Sequence, residues 1–131
     1  MPTGYNLDRP WIRGKDYQII PVTFAPNGTS APTSFRGGCI SSAVWTSTGT
    51  WTITIKTRGV RQFDGWSTGV QINSAANIDS TIELGAVTIG TGSTLTTIVV
   101  RNNPGGTVAD IAADATNWVS VVLLGRRSVN K

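Results

Sequence analysis

A chain of 131 residues with Lys+Arg 11 against Asp+Glu 7 is long enough for one domain, which at this length buries about two-thirds of its unfolded surface. Charged residues make up 14% and hydrophobic ones 39%, which excludes a wholly disordered chain. The net charge of +4 reflects scarce carboxylates and is mild basicity, not a nucleic-acid signature. With no His, Ser-His-Asp and Cys-His catalysis and every His-ligated metal or haem site are excluded. Cys39 is the single cysteine, so an intrachain disulfide, a CxxC pair and a cysteine metal cluster are excluded as well, and a buried free thiol is expected.

The start, Met1-Pro2-Thr3-Gly4-Tyr5-Asn6-Leu7-Asp8, lacks the charged and apolar regions of a signal peptide. No segment approaches the roughly 20 apolar residues that cross a bilayer. The expectation is a protein made and used without export or membrane insertion, with Asn27-Gly28-Thr29 serving as a turn. Thr outnumbers even Gly, Val and Ile are frequent, and Glu83 is the one glutamate. This is a β composition, and no window of helical length keeps apolar residues on one helical face.

In chain order, residues 1–15 carry Tyr5, Leu7, Trp11 and Ile12 beside Arg9, Arg13 and Lys15, punctuated by Pro and Gly. They read as an extended arm that straps onto a partner or a neighbouring subunit. A strand follows over Tyr17–Phe24, placed at a sheet edge by Pro21, which has no amide donor. A polar stretch then runs from Pro26 to Ser34. Cys39–Trp45 and Thr50–Lys56, joined by Ser47-Thr48-Gly49, form the clearest hairpin, with Trp51, Ile53 and Ile55 inward and threonines outward. Asp64-Gly65 is expected to turn into a strand from Trp66 to Ile72. Thr81–Ile89 is a strand with a bulge at Gly85, and Thr94–Arg101 is the next. Residues 108–115 suit one helical turn or a compact loop. The last strand, Asn117–Leu124, is apolar on both faces, with Val119, Val121 and Leu123 alternating with Trp118, Val122 and Leu124. Ten-residue spacing with Gly/Asn/Pro turns predicts an all-β fold, an antiparallel β-sandwich or jelly-roll-like domain, organised as an arm and edge strand over 1–34 and a sandwich over 35–131.

No catalytic constellation emerges. Of the seven carboxylates, Asp64 and Asp79 sit next to Gly65 and Ser80, where an Asp side chain bonds its own turn backbone, and structural roles are the expectation for all. Gly90-Thr91-Gly92 lacks the Lys and helix of a phosphate loop. An oxygen-ligated Ca²⁺ would need a spaced acidic run that is absent. Arg58 and Arg61 near Trp66, and the cations around Trp11, are the elements of a nucleic-acid stripe, yet too sparse to form one. The reading is therefore no cofactor, no metal and no nucleic acid. Trp45, Trp51 and Trp118 belong to core or interface, whereas Trp66 and Trp11 are the platforms on which a sugar would stack.

The run from Gly37 through Ser41-Ser42-Ala43-Val44-Trp45 and Trp51-Thr52-Ile53-Thr54-Ile55, the Thr-rich strand ending at Arg101 and the segment Asp114–Arg127 resemble small virion proteins of tailed bacteriophages. The resemblance spans roughly residues 35–127. It implies a non-enzymatic β-sandwich that assembles on the particle, often as a trimer, as a head decoration (cement) protein bound to the major capsid protein or as a tail-fibre module. The arm before Phe35 and the lack of a fibre repeat depart from the fibre-like members. A short chain of near-neutral mean hydropathy, −0.01, fits a decoration protein partly covered by symmetry mates. Such a protein is made in the host cytoplasm and resides on the virion head. On this reading Tyr5, Leu7, Arg9, Trp11, Ile12, Arg13 and Lys15 contact capsid or subunit, and Trp118, Val122 and Leu124 form the oligomer interface. The alternative is a receptor- or glycan-binding fibre module using Trp66.

Overall fold

The computed structural model describes residues 17–56, 60–73, 77–91 and 94–127. Among them run strands β1 (Tyr17–Asn27), β2 (Ser30–Arg36), β3 (Ile40–Ser47), β4 (Thr50–Ile55), β5 (Gln62–Gln71), β6 (Ile82–Thr88), β7 (Thr96–Asn102) and β8 (Trp118–Arg126). A short 3₁₀ turn lies at Pro104–Gly106. Two four-stranded antiparallel sheets, ordered β2-β1-β8-β5 (sheet A) and β3-β4-β7-β6 (sheet B), pack face to face. The all-β sandwich expected from composition and turn spacing is the observed architecture.

Period-2 patterning builds the core. From sheet A come Ile20, Val22, Phe24, Val119, Val121 and Leu123, and from sheet B Trp51, Ile53, Ile55, Ile98 and Val100, all buried. Trp51 and Phe24 meet edge to face across the sheets, with ring centroids 5.3 Å apart and planes at 62°. The β3–β4 hairpin turns at Thr48-Gly49, with Gly49 at φ 60°, a left-handed conformation natural to glycine. Trp45 faces Trp51 across it. A register shift between Leu84 and Val87 places the expected bulge around Gly85 in β6.

Three features depart from the sequence reading. β1 lies inside sheet A, between β2 and β8, not at an edge. Pro21 is tolerated because β2 pairs only with Thr23–Asn27, so one side of β1 is unpaired at the proline. The polar stretch to Ser34 is not a loop: it turns at Gly28-Thr29 and continues as β2, an edge strand with Pro32 its only buried residue, which crosses position 34 and joins the same sheet. Asp64-Gly65 is a bulge inside β5 that keeps the strand paired with β8. Residues 108–115 take the compact-loop alternative, with Ile111 buried.

At the end of the sandwich holding the β7–β8 connection, asparagines satisfy loop backbone that strands cannot reach. Buried Asn102 accepts from Thr81 N at 2.9 Å and donates to Ala109 O at 2.9 Å. Buried Asn117 accepts from Asn73 N at 2.8 Å and donates to Ala112 O at 3.2 Å. Asn77 donates to Asp110 O and accepts from Ala112 N, each at 3.0 Å.

Candidate contact surface

The two outer faces of the sandwich differ in chemistry. That of sheet B is rich in hydroxyls: Ser42, Thr52, Thr54 and Thr97 alternate with the buried residues of their strands, and Thr46 and Thr52 share a 2.7 Å hydrogen bond. On sheet A the cross-strand register sets carbon against carbon. Ile19 pairs with Leu124, Pro21 with Val122, and on the other side of β8 Gly65 pairs with Leu124 and Ser67 with Val122. The result is an apolar stripe over three strands, with Ile19 and Leu124 half-buried, Pro21 exposed and Val122 38% exposed.

A groove of about 290 Å³, walled almost wholly by carbon, runs along this stripe between Ile19, Gly65, Trp66, Ser67, Val122 and Leu124. Gly65 helps to open it, since a Cβ built there meets no atom within 4 Å. Trp66, beside it, is 55% exposed.

Both ends of the stripe are polar. At one end Arg126 Nε donates to Asp64 Oδ2 at 2.7 Å, and Arg126 Nη2 donates to Tyr17 Oη at 2.8 Å, its guanidinium 5.2 Å from the Tyr17 ring centroid. Hydrogen bonds from Gln62 and then from Arg126 hold the Asp64 carboxyl below its ordinary 3.8. At the other end Thr23 and Ser120 hydroxyls meet at 3.1 Å, and beyond them the Arg36 guanidinium lies 3.9 Å over the Trp118 ring. Trp118 Nε1 donates to Ala115 O at 3.2 Å.

Of the interface residues expected from sequence, Val122 and Leu124 stand side by side on the stripe. Trp118 lies on the same face but apart from them, covered by Arg36. Trp66 flanks the groove. Tyr5, Leu7, Arg9, Trp11, Ile12, Arg13 and Lys15 fall outside the described residues. Ile19, Pro21 and Gly65 are additions from the structure. Ile19 and Pro21 were legible as the outward partners of Ile20 and Val22, whereas Gly65 follows from a bulge that reads as a turn.

Two aspartates hold loop backbone in place. Asp110 Oδ1 accepts from Trp45 Nε1 and Gly49 N. Asp114 Oδ1 accepts from Thr116 Oγ1 at 2.6 Å and Thr116 N at 2.9 Å, which lowers its pKa below 3.8. Among the described residues no three His, Cys, Asp or Glu side chains gather as a metal site, and no helix is long and apolar enough to cross a membrane. Cys39 is a half-buried free thiol, less enclosed than expected. Comparison with protein-family models, curated proteins and solved structures finds no match to this chain.

Proposed function

We propose that this chain is a structural virion protein of a tailed bacteriophage, a head decoration protein that binds the major capsid protein as a homo-oligomer, most simply a trimer, and braces contacts between capsomers. The observation that carries the assembly part of this reading is the apolar stripe of sheet A. A fold that has already closed its core between two sheets still presents Ile19, Pro21, Val122 and Leu124 to water, which is how a subunit contact surface is built. Many such small contacts on a repeating lattice add up through avidity. The placement on a phage head rests on the sequence resemblance over residues 35–127. The host cytoplasm is the site of synthesis on this reading and the head surface the final location.

Electron microscopy of phage particles with and without the protein tests the proposal. Density that appears on the head lattice supports it, and heads of identical appearance in both preparations overturn it. A second reading, a glycan-binding fibre module, is favoured by one feature: the exposed Trp66 indole beside a groove. Density at the tail tip, together with glycan binding lost in Trp66→Ala, would select it.

A further inference from the structure

We infer that the groove on sheet A is the seat for Trp11 and Ile12 of a second copy of this chain, so that the N-terminal arm straps one subunit to the next. The inference rests on the reading of this face as an assembly contact and names its occupant.

Three observations carry it. The groove and the arm match in chemistry: a carbon-lined trough of about 290 Å³ has no side chain above Gly65, and the chain before β1 carries Tyr5, Leu7, Trp11 and Ile12 in a segment too rich in Pro and Gly for a strand or helix of its own. The reach sets a limit: Trp11 and Ile12 stand six and five residues before Tyr17 and extend up to about 20 Å from it, so the second copy's groove must lie within that distance of the start of β1. The third observation decides between the subunit's own groove and a neighbour's. The arm leaves the sandwich at Tyr17, where Tyr17, Arg126 and Asp64 close the near end of the groove with hydrogen bonds. An arm folding back on its own subunit would have to cross that polar cluster. It would also bring Arg13 beside Arg61, whose amide bonds Arg126 O, and beside Arg126 and Arg127, three cations that Asp64 only partly offsets. Like charges there oppose the reversal. An arm arriving from a second copy enters from the far end, where Arg36 over the Trp118 ring is offset by Asp114 in the segment before β8, so its cations meet no excess of positive charge there.

The test uses the full-length chain in a Cys39→Ser background with Ile12→Cys and Val122→Cys together, mildly oxidised. Ile12→Cys with Val108→Cys is the control, because Val108 is similarly exposed, at 37%. The strap predicts an interchain disulfide formed at least about tenfold faster than in the control, as the high effective concentration of a docked arm implies. An intrachain disulfide would show that the arm serves its own subunit and would overturn the proposal, as would interchain yield no higher than the control's. Light scattering at high micromolar concentration is the second measurement: wild type is an oligomer, and Trp11→Ser/Ile12→Ser runs smaller with an unchanged β spectrum. Equal size for the two proteins overturns the strap. Should the disulfide form while phage heads lack density for the protein, the strap stands and the head-decoration reading falls.

Discussion

Trp45 Nε1 donates a 2.8 Å hydrogen bond to Asp110 Oδ1, linking strand β3 to the β7–β8 connection 65 positions along the chain. The same oxygen accepts from Gly49 N at 2.6 Å, so one carboxylate fixes both the hairpin strand and its turn. Asp110→Ala leaves two donors without their acceptor and is expected to cost about 1 to 3 kcal/mol. Asp110→Asn keeps an acceptor oxygen and should cost less. Urea midpoints give the comparison, and equal losses for the two variants would mean that a neutral acceptor oxygen does not replace the carboxylate.

Gly49 is held on two counts. Its φ of 60° is left-handed, and a Cβ there would lie 2.7 Å from the backbone N and O of Ala109. Gly28 has nearly the same φ, 61°, with no atom within 4 Å of its would-be Cβ. Gly28→Ala therefore meets only the left-handed penalty of roughly 1 to 2 kcal/mol. Gly49→Ala adds a backbone collision and should destabilise more, with the β3–β4 hairpin amides losing hydrogen-exchange protection first. Matching melting temperatures for the two variants would contradict the close approach.

Trp51 is fully buried against Phe24, and its Nε1 has no hydrogen-bond partner. Trp51→Ala is expected to cost about 3 to 5 kcal/mol through the cavity it leaves, and Ile53→Ala, equally buried, about 2 to 5. Trp51→Phe retains an aromatic edge for Phe24 and removes a buried unpaired donor, so its loss should be clearly smaller than that of Trp51→Ala. Chemical denaturation that ranks the two alike would place the indole outside the load path of the core.

Legibility followed the range of the interactions. β4 could be read directly, because Trp51, Ile53 and Ile55 alternate with threonines and alternation alone selects the inward face. β8 showed carbon on both faces, and the structure turns that into a buried row and an open stripe. β2 was missed because an edge strand with only Pro32 buried has no hydrophobic signal to give. Pro21 pointed to an edge because a missing amide donor says nothing about where the neighbouring strand stops. The groove needed three strands in register and a bulge at Gly65, and the Trp45–Asp110 bond needed a contact across 65 positions. Neither leaves a trace in local pattern.

The Asp64–Arg126–Tyr17 cluster gives a pH signature. Hydrogen bonds from Gln62 and Arg126 depress the folded-state pKa of Asp64 below 3.8, so its contribution to stability is fully present above that value and fades as pH falls through the lower folded one. Carboxyl NMR should find Asp64 titrating below 3.8 in the wild type and closer to it in Gln62→Ala. Arg126→Met should bring acid unfolding to a higher pH. A wild-type Asp64 that titrates at or above 3.8 would show that the cluster is not formed in solution.

Val122 separates folding from assembly. It is 38% exposed at the centre of the sheet A stripe, so Val122→Glu should leave the stability of the isolated subunit within about 0.5 kcal/mol, as for other surface substitutions. Its flanking residues on β8, Val121 and Leu123, are fully buried and remain untouched. A carboxylate there faces Pro21 and Ser67 across the strands and would be desolvated by any apolar group laid into the groove. Sedimentation velocity should therefore show a smaller species for Val122→Glu than for wild type. Val44→Glu is the matched control, a position 52% exposed on the outer face of sheet B, and should assemble as wild type does. If Val122→Glu keeps the wild-type sedimentation coefficient, the apolar stripe is not a subunit contact; if Val44→Glu alone loses assembly, the contact runs through the hydroxyl-rich face instead.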